Sequence, residues 1–391
     1  MSAPTAPAIE TASTVLRPAW VEIDLDALAV NLRVLRQRVG SASILAVVKA
    51  DAYGHGAVAV ARSLERQGAD WLGVALVDEG AKLRRAGVGL PILVLGTIQT
   101  GEIDEVRVNG LTPAVSSLDQ LRMWARAGIA HDRDAPPQSI HLKVDTGMHR
   151  LGLPPADWAA AAELLAATPS LRLDGLLSHL AEAEQLESPP SHAPLGQGDF
   201  TAVQERRFDQ ALSIFRAPLQ HLANSAAALH RPSTRHSLVR AGLALYGIDP
   251  ARRERELVGV MSVKARLVQV REIDAGERVG YGASWVAKRP SRIGVVPLGY
   301  ADGYPWRLGN QARAWLDGVF VPLVGAVSMD MVTLDLTGTT AEVGGIVTLM
   351  AGSADRGPTA VELAQRAGTV PYEILCHFGL RLPKQYVGGA G

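Results

Sequence analysis

Short apolar runs alternate with amphipathic segments over roughly the first two thirds of the chain. A buried parallel strand typically appears as a continuous apolar run, and parallel strands need a helical crossover between them. The apolar runs are 44–48, 71–76, 91–96, 111–115, 139–144, 173–180, 219–224 and 237–245. The segments with helical spacing are 25–39, 56–67, 77–86, 117–128, 155–167 and 201–215, and Gly68 and Gly87 are predicted helix ends.

This alternation predicts an α/β fold. Eight strand–helix units between residues 20 and 250 predict a closed (β/α)₈ barrel of the TIM type. An open, doubly wound parallel sheet is the alternative. It is disfavoured because no GxGxxG motif begins a strand-to-helix turn in this sequence.

The pattern changes after Pro250, where β-rich segments with Gly and Asp turn signals replace the alternation. We therefore predict a barrel domain over 17–250 and a mainly β domain over 251–391, with one helix near 358–367. A strand-like segment at 20–25 precedes the barrel and is suited to pair with the second domain. Residues 1–16, rich in small residues, Thr and Pro, are predicted to be a flexible tail.

Composition excludes several classes of protein. The 391 residues carry 39 basic and 39 acidic side chains, so the excess positive charge of a general nucleic-acid binder is absent. No apolar run approaches the length of a membrane-spanning helix. The single cysteine, Cys376, excludes an intrachain disulfide and a cysteine-based metal site, and no metal is expected. The N-terminus lacks the basic start and apolar core of a secretory signal, which favours the cytoplasm.

Two of the six lysines lie in apolar surroundings at predicted strand ends, Lys49 after 44–48 and Lys143 within 139–144. Active-site residues of such barrels lie at the carboxyl ends of the strands. A desolvated lysine there can lose its proton and attack a carbonyl as an amine nucleophile. The structural alternative is a lysine whose ammonium group simply reaches solvent from the strand end.

Polar residues also follow other predicted strands, and barrel geometry would place them around one opening. They are Tyr53 and Gly54, Asp145 and Arg150, Ser178 and His179, Asn224 and Ser225, and Arg240 and Gly242. Asn224 and Ser225 precede a run of small residues that begins a helix, and helix N-termini favour phosphate groups. Each residue alone also fits a structural role, such as a buried histidine or an ion-paired arginine.

Several motifs carry a resemblance to a known family. They are AVVKADAYGHG, HLKVDTGMHRLG, SHLAEAE, LANSAAAL, VRAGLALYG, VGYGASW, PLGYADGYP, VSMDMVTLDL and PYEILCHFGLRLPKQY. With these motifs the sequence resembles the alanine racemases, fold-type III pyridoxal-phosphate enzymes, over about residues 17–385. The resemblance implies an isomerase that interconverts L- and D-alanine by a two-base mechanism and supplies D-alanine for peptidoglycan.

The resemblance also implies roles for individual barrel residues. Lys49 would attach pyridoxal phosphate, and Arg240 would face its pyridine nitrogen. The phosphate group would be held by Tyr53, Asn224, Ser225, Gly242, Leu243 and Tyr372. Arg150 would bind the substrate carboxylate, oriented by a carbamylated Lys143. An unmodified Lys143 would repel Arg150, whereas a carbamate would attract it.

The second base would be Tyr281, supported by His179, which is in turn held by Arg240. The resemblance implies that Tyr281, Met329 and Asp330 come from the second domain of a neighbouring subunit, and that Tyr300 and Tyr372 narrow the entrance. A head-to-tail homodimer with two composite sites follows from this arrangement.

Two other functions remain open from the sequence, a broader-specificity amino-acid racemase and a non-catalytic pyridoxal-phosphate-binding barrel. The second base in the region after the barrel distinguishes an enzyme from such a carrier. The motifs also depart from the usual family pattern at four positions, His149, Ser328, His377 and Leu380. None of the four replaces a proposed catalytic group.

Overall fold

A computed structural model describes residues 17–129, 136–185, 199–379 and 381–389. The predicted tail at 1–16 and Leu380 lie outside the described residues. The chain divides into two compact units, which are described separately below. Of the described residues, the barrel unit comprises those in 25–259 and residue 389, and the β unit comprises those in 17–24 and 260–388.

The described part of the barrel unit contains eight parallel strands, and each overlaps one predicted apolar run. They follow the first strand of the chain, β1 (Ala19–Asp24), which belongs to the β unit. The barrel strands are β2 (Ser43–Val47), β3 (Trp71–Val74), β4 (Ile92–Val94), β5 (Thr112–Val115), β6 (Gln138–Lys143), β7 (Leu171–Leu177), β8 (Leu219–His221) and β9 (Leu238–Ala241).

The eight strands lie in consecutive order, and β9 pairs in parallel with β2, so that the last strand lies beside the first. Next to β8, the backbone N–H of Arg240 donates to the carbonyl of Ala223 at 3.0 Å. The predicted TIM-type barrel is therefore confirmed, and the open-sheet alternative is wrong.

Helical segments alternate with the strands of this barrel. They are α1 (Leu25–Val39), α2 (Lys49–Tyr53), α3 (Ala57–Arg66), α4 (Val77–Arg85), α5 (Ile103–Val108), α6 (Leu118–Ile129), α7 (Trp158–Ala166), α8 (Phe200–Ile214) and α9 (Ser225–His230). Gly68 and Gly87 follow α3 and α4 with φ of 82° and 81°, the left-handed conformation that ends a helix. Among the described residues, no helix has both the length and the apolar character to cross a membrane.

The boundary between the units differs from the predicted one at residue 250. Asn31 on α1 donates to the carbonyl of Val258 and accepts from its N–H, both at 2.8 Å. Arg38, also on α1, pairs with Glu254 and Glu256 at 2.8 and 2.9 Å. These contacts attach residues 251–259 to the barrel unit rather than to the β unit.

The β unit contains the strand that precedes the barrel. β1 lies between the strands Met261–Arg266 and Lys384–Val387 in a six-stranded sheet of the described residues. The sheet continues beyond Met261–Arg266 with Ile346–Met350, Arg313–Leu316 and Val319–Pro322, in that order. Hydrogen bonds on both edges therefore place 19–24 in this unit. The other elements are β10 (Met261–Arg266), β11 (Gln269–Ile273), β12 (Arg278–Val279), β13 (Trp285–Val286), β14 (Ser291–Val296), β15 (Arg313–Leu316), β16 (Val319–Pro322), β17 (Val332–Asp335), β18 (Ile346–Met350), α10 (Ala360–Ala367), α11 (Pro371–His377) and β19 (Lys384–Val387).

Candidate active site

Five of the predicted site residues lie around the carboxyl ends of the barrel strands. Lys49 lies two residues after the end of β2, and Lys143 ends β6. His179 lies two residues after the end of β7, and Arg240 is on β9. Arg150 is on the loop after β6, with an exposed side chain. The charges of Lys49, Arg150 and Arg240 all act on Lys143, so the fold brings these cations into one group.

Lys143 is the most perturbed lysine of this group. Only 8% of the residue is exposed. Burial, followed by the positive charges of Arg240, Arg150 and Lys49, lowers the pKa of its amine from 10.5 to about 8. At a pKa of about 8, about a tenth of the amine is neutral and nucleophilic at pH 7, and an anion at this position would relieve the repulsion.

Arg240 is buried and holds the ends of three strands together. Its guanidinium donates to the carbonyls of Ser178, His221 and Leu222 at 2.6, 2.6 and 3.0 Å. Burial lowers its pKa from 12.5 to about 10, so the group stays protonated at neutral pH. A guanidinium that is already saturated with protons can donate hydrogen bonds but cannot accept one.

His179 is oriented by the same arginine. Its Nδ1 lies 3.3 Å from Nη2 of Arg240. Burial, followed by the charges of Arg240, Lys143, Arg150 and Lys49, lowers the pKa of His179 well below its usual value, so the ring is neutral. Because arginine only donates, Nδ1 of His179 must accept, and the single ring proton resides on Nε2.

A cradle of backbone and hydroxyl groups lies between the start of α9 and the loop after β9. The Ser225 hydroxyl oxygen accepts from the N–H groups of Gly242 and Ala244 at 2.9 and 3.3 Å. A Cβ on Gly242 would lie 2.7 Å from the hydroxyl oxygen of Tyr53, so only glycine leaves this space open. Leu243, the next residue, is buried.

Asn224 caps the helix that carries Ser225. Its side-chain oxygen accepts from the N–H of Ala227 at 3.1 Å, the usual N-cap interaction. The helix predicted to begin after Asn224 and Ser225 is therefore present as α9, which follows β8. In this structure Asn224 orients the start of that helix, beside the cradle.

The segment after Lys49 is a turn of left-handed helix. Residues 50–53 have φ between 52° and 56°. The N–H of Ala52 donates to the carbonyl of Val48 at 2.9 Å, and that of Gly54 to Ala50 at 3.0 Å. This conformation costs about 1–2 kcal/mol for each non-glycine residue, so surrounding contacts must hold it.

In the β unit, Tyr281 begins a short 3₁₀ turn, Tyr281–Ala283, between β12 and β13. Its side chain is 77% exposed. The next loop residue, Ser284, accepts a hydrogen bond from the Asn310 amide at 3.1 Å, which ties this loop to the rest of the unit. The Tyr281 ring borders a cavity of about 730 Å³ that is also lined by Trp306, Gln311 and Arg366.

Tyr300 and Met329 lie on two loops of the β unit that are hydrogen-bonded to each other. The N–H of Tyr300 donates to the carbonyl of Ser328, and that of Ala301 to Met329, both at 3.0 Å. Both predicted residues have about half of their side chains exposed. The pairing of the loops gives these two side chains a common support.

Asp330 belongs to a group of ion pairs formed by two arginines and two aspartates of the β unit. Arg381 bridges Asp330 at 2.8 Å and the buried Asp302 at 3.4 Å, and Arg17 also reaches Asp302 at 2.8 Å. Asp302 in turn accepts from the N–H of Gly299, which precedes Tyr300, at 3.0 Å. Tyr372, in the first turn of α11, is 41% exposed.

Comparison with known proteins connects both units to one family. The model of the alanine racemase N-terminal domain matches residues 23–250, and that of the alanine racemase C-terminal domain matches 260–386. The chain belongs to the alanine racemase family. The C-terminal match and the enzyme relatives exclude the non-catalytic carrier, and the chain is an isomerase that racemises alanine.

Individual alanine racemases are similar over nearly the whole length. The enzyme of Synechocystis is 42% identical over 380 residues, which cover 94% of this chain and 98% of that protein. The Streptomyces coelicolor structure has a TM-score of 0.87 at 35% identity and covers 95% of this chain and 98% of its own. The Bartonella henselae structure, with covalently bound pyridoxal phosphate, has a TM-score of 0.84 at 30% identity, with coverages of 95% and 99%.

Two buried histidines of the barrel are not among the site residues predicted from the sequence. His221 on β8 faces Nη1 of Arg240 with Nδ1 at 3.1 Å, and its Nε2 lies 2.9 Å from Nδ1 of His141 on β6. Burial lowers the pKa of both rings, that of His141 to about 4. The only sequence signal is a histidine inside each of two apolar runs.

The direction of hydrogen bonding along this pair follows from Arg240. Arg240 donates to Nδ1 of His221, so neutral His221 carries its proton on Nε2 and donates to His141. His141 then carries its own proton on Nε2, a buried atom with no hydrogen-bond partner among the described residues. The two neutral rings, His221 and then His141, therefore form a hydrogen-bonded row that begins at Arg240.

Proposed function

We propose that alanine racemisation by this enzyme uses pyridoxal phosphate held on Lys49, with Lys49 and Tyr281 exchanging the Cα proton on opposite faces of the substrate. The observation that carries the proposal is the cationic group at the barrel mouth, where Lys49 lies near Lys143, Arg150 and Arg240. The family is known to depend on this cofactor, and the Bartonella relative contains it covalently bound.

The cradle beside Lys49 fits a phosphate group. Ser225, Tyr53 and the backbone at 242–243 supply hydroxyl and N–H groups around a space that a side chain at Gly242 would fill. Asn224 supports this arrangement by capping α9. We also assign Tyr372, a residue of the β unit, to this phosphate, which its hydroxyl group would bind.

When bound, pyridoxal phosphate withdraws electrons from the substrate and makes its Cα–H acidic. Arg240 would face the pyridine nitrogen of the cofactor. Because its guanidinium stays charged and has no lone pair to offer, it cannot accept a proton and disfavours a protonated pyridine. This limits electron withdrawal and suppresses side reactions.

Arg150 is the proposed partner of the substrate carboxylate, and a carbamate on Lys143 would orient it. The neutral amine that carbamylation requires is favoured by the lowered pKa of Lys143. Reaction with carbon dioxide would convert a cation among cations into an anion. The proposed modification therefore removes the repulsion between Lys143 and Arg150.

Tyr281 is the proposed second base. His179, with its proton on Nε2, would donate to the phenolic oxygen and stabilise it when it carries negative charge. Met329 would approach the substrate carboxylate with its backbone N–H, Asp330 would support that loop, and Tyr300 would narrow the entrance with Tyr372. These residues are proposed to come from the partner of a head-to-tail homodimer.

We further propose that the product D-alanine supplies peptidoglycan synthesis and that the enzyme acts in the cytoplasm. The reducing conditions of that compartment suit a chain with a single cysteine, Cys376. The relatives named above are alanine racemases, which favours alanine over a broader range of amino acids as the substrate.

Borohydride reduction tests the cofactor assignment. Reduction of the purified protein, followed by peptide mapping, should place the cofactor on Lys49. Lys49→Ala should lose the label, whereas Lys288→Ala, at an exposed lysine of the β unit, should keep it. A label on any other lysine would contradict the assignment.

Exchange of the Cα proton with solvent tests whether Lys49 and Tyr281 act as bases on opposite faces of the substrate. Tyr281→Ala should slow exchange of one alanine enantiomer by about 10²–10⁴-fold, the usual loss for one general base, and affect the other far less. Chiral chromatography with isotope analysis measures each enantiomer. Equal losses for both would make Tyr281 a structural residue only.

A further inference from the structure

Two acidic side chains, one outside the left-handed turn after Lys49 and one within it, connect this turn to its surroundings. The Ala50 N–H, which belongs to the peptide bond between Lys49 and Ala50, donates to Oε1 of Glu79 at 2.6 Å. Asp51, the next residue in the turn, accepts from the N–H of Ala57 at 2.9 Å and lies 3.6 Å from the ammonium of Lys82. Both interactions connect the turn to neighbouring helices.

Glu79 joins the ends of two barrel strands. While its Oε1 accepts from Ala50 after β2, its Oε2 accepts from the N–H groups of Ala75 and Leu76 after β3, at 2.7 and 3.1 Å. One carboxylate therefore accepts three backbone hydrogen bonds. Its own position is defined because it lies in the first turn of α4.

The hydrogen bond from Ala50 to Glu79 restrains the backbone directly next to Lys49. Left-handed φ values begin at Ala50, the residue directly after the lysine. Alanine prefers right-handed or extended conformations, so without its acceptor this residue gains by rotating away. Such a rotation changes the direction in which the Lys49 side chain leaves the strand.

We propose that Glu79 is a positioning residue for Lys49: it holds the Lys49–Ala50 peptide in the left-handed turn and so aims the lysine amine at the cofactor. This inference rests on the proposed function, in which Lys49 carries pyridoxal phosphate. The alternative is that Glu79 only caps α4 through Ala75 and Leu76. That alternative gives Glu79 no effect on the cofactor.

Glu79→Gln separates these roles with little change in shape. An amide has one acceptor oxygen, so it can serve Ala50 or the Ala75–Leu76 pair, and the remaining N–H groups face an NH₂ group. We expect the Kd of the apoenzyme for pyridoxal phosphate to rise about tenfold, the loss typical of a hydrogen bond to a charged group. Reconstitution followed by absorbance measures this Kd.

Glu65→Gln is the matched control. Glu65, on α3, also accepts two backbone hydrogen bonds from the segment before β4, from the N–H groups of Gly89 and Leu90 at 2.8 and 3.1 Å. These residues precede β4, so the bonds lie at the opposite end of the barrel from Lys49. Both N–H groups bond Oε1 of Glu65, so one amide oxygen can retain them, and the variant controls for the loss of a carboxylate charge on a neighbouring helix. It should keep Kd within about twofold of wild type.

The outcomes distinguish the inference from the proposed function. If wild type shows no cofactor on Lys49 after borohydride reduction, the proposed function fails. If wild type is labelled there and Glu79→Gln matches Glu65→Gln in Kd, only the positioning role is overturned. Should Glu79→Gln fail to fold, Glu79→Asp keeps the charge with shorter reach and is measured in the same way.

A double-mutant cycle with Ala50→Gly tests whether Glu79 affects cofactor binding through Ala50. Glycine adopts left-handed φ without the steric cost of a Cβ, so Gly at position 50 depends less on Glu79. The rise in Kd caused by Glu79→Gln should therefore be smaller in the Ala50→Gly background. An equal rise in both backgrounds would show that Glu79 does not act through Ala50, and would overturn the proposal.

Discussion

Lys143 shows how strongly neighbours determine the chemistry of one residue. Its amine is buried, and burial together with the charges of Arg240, Arg150 and Lys49 lowers its pKa to about 8. The pKa in the unfolded chain stays near 10.5, so between these two values the unfolded state binds more protons than the folded state. Unfolding free energy must then rise with pH over that window.

The unmodified enzyme should therefore become more stable between pH 8 and 10.5. The lowered pKa corresponds to roughly 3 kcal/mol, recovered as pH rises through this range. Urea unfolding in carbon dioxide-free buffer at several pH values measures it, with Lys143→Met as the comparison. Adding bicarbonate should flatten the wild-type profile; identical profiles for both proteins would count against the lowered pKa.

At the scale of elements, α8 supports two loops at the barrel mouth. Gln204 on α8 is fully buried. Its amide nitrogen donates to the Thr146 hydroxyl at 3.2 Å and to the carbonyl of His179 at 2.9 Å, and its oxygen accepts from Ala181 at 2.9 Å. One side chain thus connects the loops after β6 and β7, which carry Arg150 and His179.

Gln204→Met should therefore lower kcat. The substitution keeps the approximate volume but removes three hydrogen bonds, and displacement of His179 should cost about tenfold or more in kcat. Steady-state kinetics in both directions measures it. Gln120→Met is the control, because the Gln120 oxygen accepts two hydrogen bonds from Ser116 after β5, a strand that carries none of the proposed site residues. Equal kcat in both variants would contradict a specific role for the loops after β6 and β7.

At the scale of the whole molecule, the β unit exposes several large apolar side chains, Tyr281 and Met329 among them. Exposed fractions are 77% for Tyr281, 64% for Trp306, 55% for Val370, 54% for Met329 and 48% for Met331. Such exposure favours burial against another surface. The proposed head-to-tail homodimer supplies that surface.

Mixing two inactive variants tests the composite site. A dimer of one Lys49→Ala chain and one Tyr281→Ala chain has one intact site and one site with both lesions. Random exchange in equal amounts gives about half mixed dimers, so activity should return to about a quarter of the wild-type sites. If mixed dimers form and activity stays absent, each chain builds its own site.

Much of the architecture was determined by the sequence because its signals are local. Each barrel strand is a buried apolar run, and each predicted helix has its own amphipathic spacing, so 44–48 predicts β2 and 25–39 predicts α1 without reference to the rest of the chain. Lys49, Lys143 and Arg240 were recognised for the same reason, since strand ends of a barrel point to one opening.

Tertiary structure alone decided what depends on neighbours distant in the chain. His141 and His221 lie 80 residues apart and pair only when β6 and β8 close into the barrel. The left-handed turn after Lys49 opposes the intrinsic preference of its residues and is held by Glu79 from another helix. Local patterns encode how a segment folds, whereas strain, pKa and hydrogen-bond direction arise from the groups that folding brings together.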